Sequence, residues 1–84
     1  MKRNKALKNL LIDVGNLLAD LRIKKGYTTI KAFTSKYDLP EIQYWRIEKG
    51  KANITLKSLT RILQIHNMSL DDFFCQIRDE KIAA

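Results

Sequence analysis

Residues 30–50 run Ile30-Lys31-Ala32-Phe33-Thr34-Ser35-Lys36-Tyr37-Asp38-Leu39-Pro40-Glu41-Ile42-Gln43-Tyr44-Trp45-Arg46-Ile47-Glu48-Lys49-Gly50. Two short helical patterns meet here across a turn. Ile30, Phe33 and Tyr37 fall on one side of the first, and Thr28 or Thr29 can cap it by accepting from an orphaned first-turn amide. Asp38 tolerates turn and left-handed backbone. Pro40, with a preset φ and no amide to satisfy, suits the first turn of the next helix, which is predicted to run to Lys49 and end at Gly50.

Working outward, Leu7, Leu10, Leu11, Val14, Leu17, Leu18 and Leu21 keep the three-and-four spacing of one helical face. They predict a long first helix from Lys5 to Lys25, stopped by Gly26. Gly15 lies inside it and costs about 1 kcal/mol relative to alanine, so a separate or bent piece before it is expected. On the other side, Thr55 caps a fourth helix with the stripe Leu56, Leu59, Ile62 and Leu63. Ser69, with Asp71 and Asp72 at the positive end of the dipole, starts a fifth whose buried face is Leu70, Phe73, Phe74 and Ile77. Arg78 to Ala84 are expected to fray.

The chain has 84 residues, enough for one domain and no more. Its formal charge of +7 is uneven: residues 1–61 hold 14 Lys/Arg against 5 Asp/Glu, and residues 62–84 hold 2 against 4. The basic part is the one suited to a polyanion. One cysteine, Cys75, excludes an internal disulfide and fits a reducing cytosol. Lys8, Asp13 and Asp20 break the N-terminal apolar run, which argues against a secretory signal, and no stretch has the roughly 18 apolar residues of a membrane span. A cytoplasmic location is expected, with no membrane partner.

A basic domain with two helices joined by a tight turn matches the helix-turn-helix plan, in which the second helix enters the major groove. The residues add a resemblance. Leu18, Leu21-Arg22, Lys25-Gly26, Phe33, Tyr37, Leu39, Tyr44, Ile47-Glu48-Lys49-Gly50, Leu56, Leu59 and Ser69-Leu70-Asp71-Asp72-Phe73-Phe74 resemble the Cro and phage-repressor type (XRE-like) helix-turn-helix domain. The likeness spans Val14 to Phe74, and Arg46-Ile47-Glu48-Lys49-Gly50 is its most specific element. The chain departs from the family pattern at Thr34, where a small alanine-like residue is usual, and at Asp38, where glycine is usual. Gly26 also lies one residue further from Phe33 than the pattern has it, so the link between the first two helices should differ locally.

The resemblance implies an all-α, five-helix, lambda-repressor-like domain over residues 14–77. A basic helical extension (1–13) would lengthen the first helix, and a flexible tail (78–84) would follow. It implies sequence-specific binding of double-stranded DNA and transcriptional regulation, expected as repression. The helix Pro40 to Lys49 is the reader. Glu41, Ile42, Gln43 and Arg46 match positions that reach DNA in the family, and their chemistry suits cytosine, a thymine methyl, adenine, and guanine or phosphate respectively. Trp45 is open between packing against a neighbouring helix and lying on the reading face. Lys36, Lys49, Lys51, Asn53, Thr55 and Lys57, at or after the reader, are candidates for phosphate contacts. The resemblance also implies a buried ion pair between Arg22 and Glu48, tying the first helix to the third.

Catalysis has little support. His66 and Cys75 are a lone histidine and a lone thiol, read as a surface residue and a small packing residue. No phosphate loop, metal-ligand spacing or set of spaced carboxylates accompanies them, so no enzyme activity, cofactor or metal is expected. The competing reading is a protein-interaction or antitoxin-like module of the same fold, docking another regulator. One domain reads one half-site, so a homodimer is expected, at least on DNA.

Overall fold

The computed structural model describes residues 5–83. Residues 1–4 of the expected extension and Ala84 of the expected tail lie outside the described residues. These hold five helices and no strand: α1 (Lys5–Lys24), α2 (Ile30–Tyr37), α3 (Glu41–Glu48), α4 (Leu56–Ile65) and α5 (Leu70–Ala83). This is the all-α, five-helix order expected from the sequence. The chain divides into two compact units, Met1–Asn53 with α1 to α3 and Ile54–Ala84 with α4 and α5. The boundaries drawn from sequence at 13/14 and 77/78 fall within α1 and α5, whose helical backbone continues through them.

In the first unit, α3 packs against both α1 and α2. Val14, Leu17 and Leu18 of α1, Phe33 of α2, and Tyr44 and Ile47 of α3 are buried. An aromatic cluster backs α3: the Phe33 ring lies 5.3 Å from Tyr44 and 5.1 Å from Tyr37, centroid to centroid, and Tyr27 stands edge-on to Phe33 at 5.6 Å. Such rings bury large apolar areas and gain from tilted or edge-on contact.

Gly15 does not break α1 into separate pieces, since the helix is continuous from Lys5 to Lys24. Its role is close approach. A Cβ at Gly15 would collide with the carbonyl oxygen of Glu48 and come within 2.7 Å of that of Ile47. Only a residue without a side chain lets α1 lie this near the end of α3, and the close packing outweighs the propensity cost.

Thr34, in place of the usual small residue, is buried, and its hydroxyl donates to the carbonyl of Ile30 at 3.0 Å. The extra polar atom is thus satisfied inside α2 itself. In the second unit, Leu59, Ile62 and Leu63 of α4 and Phe73 and Ile77 of α5 are buried, and the two helices pack together. Three sequence expectations fail here. Leu56 is 66% exposed and Phe74 36% exposed, so neither belongs to a buried face, and Cys75 is an exposed free thiol instead of a packing residue. Leu56 is the first residue of its helix, where one side still faces water, and Phe74 and Cys75 follow Phe73 by 100° and 200° around α5.

Candidate nucleic-acid interface

The local chemistry that sets α3 in place begins with α2. Thr29 is its N-cap, accepting from the amide of Ala32 at 3.1 Å, which decides between Thr28 and Thr29. Asp38 ends α2 in the left-handed region (φ 55°, ψ 50°), and Leu39 donates to the Thr34 carbonyl at 2.9 Å. An aspartate does what glycine usually does here, at modest cost, because its short polar side chain tolerates this backbone. Pro40 then stands as the N-cap of α3, one residue before the first helical turn.

The far end of α3 closes in a Schellman arrangement. The amide of Gly50 donates to Ile47 at 3.1 Å and that of Lys51 to Arg46 at 2.9 Å. Gly50 has φ 70°, and its Cβ-less face lies against Ile12 of α1. The chain can therefore turn sharply while staying pressed to α1.

One side of α3 is locked. Glu48 is 6% exposed and Arg22 7% exposed. Nε of Arg22 donates to Oε2 of Glu48 at 2.8 Å, Nη2 to Oε1 at 3.2 Å, and Nη1 to the carbonyl of Tyr27 at 2.8 Å. This is a two-pronged pair with matched geometry, the strong form of an ionic hydrogen bond. Its hydrogen bond to Glu48 holds the Arg22 guanidinium above its ordinary range. Burial pushes the nearby Tyr44 phenol well above its ordinary value, and the Glu48 carboxylate beside it adds to the shift.

The other side is open. Ile42 is 78% exposed, and Glu41, Gln43, Trp45, Arg46 and Lys49 are exposed with it. Pro40, Glu41, Ile42, Gln43 and Arg46 line an open groove of about 1000 Å³ together with Leu11 and the loop 50–53. All four sequence-predicted base-reading residues are thus brought onto one groove wall, and Lys51 and Asn53 border the same groove. Arg46 is partly engaged already: its Nη2 donates to the carbonyl of Lys51 at 3.3 Å, which leaves four N–H donors. Lys36 is exposed in the last turn of α2.

Thr55 and Lys57 belong to the second unit, at the start of α4. There Thr55 Oγ1 accepts from the amide of Ser58 at 3.1 Å, so that hydroxyl is the helix cap, and Lys57 is exposed. Trp45, left open in the sequence, is 41% exposed. Nζ of Lys51 lies 5.5 Å and Nζ of Lys49 5.9 Å from its ring centroid. Helix geometry could have flagged it, since Trp45 lies about 100° round from inward Tyr44 and about 160° from inward Ile47, and so faces partly out.

Among the described residues no group of three or more His, Cys, Asp or Glu could hold a metal ion, and no helix is long and apolar enough to cross a membrane. Compared with known proteins, the chain is similar to the control protein C.MunI of Mycoplasma sp, with 31% identity over 74 residues, 88% of this chain and 100% of that relative. No family model and no solved structure matches it.

Proposed function

This chain belongs to the XRE-like helix-turn-helix family of DNA-binding transcriptional control proteins, and on that premise we propose that α3 reads a specific duplex sequence from the major groove. The family is one of regulators, so the chain is not an enzyme. The observation that carries the reading is the outward side of α3. Ile42, an apolar residue left 78% exposed, lines one groove with Glu41, Gln43 and Arg46, on a helix braced from behind by Arg22 and Glu48. A helix about 10–12 Å across fits a groove about 12 Å wide. Gln43 can pair with adenine and Arg46 with guanine, Ile42 meets a thymine methyl, and Glu41 accepts from cytosine.

Lys36, Lys49, Lys51 and Asn53 supply backbone contacts from the first unit. Lys57 supplies another from the second, with Thr55 setting the amides at the start of α4. Two copies of the chain bind a palindrome with half-sites about one helical turn apart, because one reading helix spans only a half-site. Where that palindrome overlaps a promoter, occupancy represses.

Selecting bound sequences from a random duplex pool tests this. The wild type should enrich a two-fold symmetric site. Gln43→Ala should relax one position of each half-site, worth about 1–3 kcal/mol of discrimination. Lys36→Ala should keep the same site and lower the salt slope of binding by about 1. A wild type that enriches nothing and is indifferent to salt, while capturing another regulator, would return the chain to the protein-docking reading.

A further inference from the structure

Trp45 is the chain's one tryptophan, and it is 41% exposed with two ammonium groups held against its ring. A large apolar ring left in water is costly. The ring quadrupole attracts each of the two cations without neutralising its charge. An anion within reach of these ammoniums, with carbon surface for the indole, meets both needs.

Where Trp45 sits on α3 says which anion. Successive residues turn by about 100°. Ile42 and Arg46 therefore point most directly outward, opposite buried Tyr44, Ile47 and Glu48, while Trp45 lies in the last turn about 100° to one side of Arg46, on the flank. In helix-turn-helix docking the N-terminal residues of the reading helix meet base edges, so the flank of its last turn is left to meet a sugar-phosphate wall. An indole suits such a wall, with an apolar face for deoxyribose and an N–H for a phosphate oxygen.

We propose that Trp45, with Lys49 and Lys51 gathered on its ring, forms a clamp on the sugar-phosphate backbone along one flank of α3. The inference rests on the DNA-binding reading and adds a residue to it. Trp45 positions and tightens without reading sequence. Both lysines already stand at the ring before any phosphate arrives.

The test uses the full chain, a dye-labelled duplex carrying the selected site and a random duplex of equal length. Two signals are followed together: anisotropy of the duplex and emission of Trp45. Emission should change with the same midpoint as anisotropy on both duplexes. Trp45→Ala should weaken binding to both by about tenfold, the scale of one lost aromatic contact to nucleic acid, and leave the selected sequence unchanged. Trp45→Phe, which keeps the ring and loses the N–H, should fall between. Should the alanine variant fail to fold by circular dichroism, the wild-type emission and the phenylalanine variant still decide. Binding by anisotropy with silent Trp45 emission, or a Trp45→Phe that binds as wild type, overturns the clamp while the DNA-binding reading stands. An altered site preference in Trp45→Phe also overturns it, because the residue then reads bases. A wild type that binds neither duplex removes both.

Discussion

On the inward side of α3, Glu48 has both carboxylate oxygens taken by Arg22 and its backbone pressed to Gly15. On the outward side, Ile42, Trp45 and Arg46 stand exposed on the same two turns of helix. The inward side gains its energy on folding and keeps it. The outward side leaves apolar and cationic groups unsatisfied, and that reserve is what a ligand can use. Stability and recognition are therefore separable within eight residues.

The comparison breaks most decisively at Glu48. Glu48→Ala leaves a buried guanidinium without its carboxylate and should cost about 3–5 kcal/mol, a large share of the roughly 4–13 kcal/mol that a chain of this size commands. An unchanged denaturation midpoint would mean that the pair braces nothing.

A smaller loss is expected at Gly15. Alanine there gains about 1 kcal/mol of helix propensity but pushes α1 off the end of α3, for a net loss of about 1–3 kcal/mol in a thermal melt. A stabilised Gly15→Ala would show that the close approach is incidental.

The third effect is confined to alkaline solution. Tyr44 has its pKa raised on folding above the ordinary 10.0. Its neutral form is the one the fold favours, so unfolding releases a proton once pH passes the ordinary value. The contribution is complete below about pH 10 and is lost as pH rises beyond it. Tyr44→Phe should flatten this slope between pH 10 and 11 relative to wild type. A slope that survives unaltered would assign the alkaline loss to other groups.

Much of the fold was legible because helix ends are written in local chemistry. Thr29, Thr55 and Ser69 cap helix starts as read, and Gly26, Asp38 and Gly50 take positive φ where turns were expected. What stayed hidden depends on partners distant in sequence. Gly15 looked like a flaw because the backbone it touches lies 33 residues away at Glu48. Leu56 and Phe74 followed apolar spacing yet face solvent, since periodicity gives the direction of a face and not its edges. Arg22 and Glu48, 26 residues apart, have no local pattern, and only the family resemblance brought them together beforehand. The outward row of α3 was nominated through the same resemblance. Trp45 escaped it because a lone indole fits either a core or a contact surface.

Gly15 and Arg22 are seven residues apart, almost two full turns, so both project from one side of α1. Ile12, which meets Gly50, shares that side. The stretch from Ile12 to Arg22 thus acts as a ruler, with its marks cut to the end of α3. Deleting or inserting a single residue within it would swing one mark by about 100° and cost either the ion pair or the close approach. Descendants of this chain are free to lengthen α1 before Ile12, but between these marks their genes should carry substitutions and no indels.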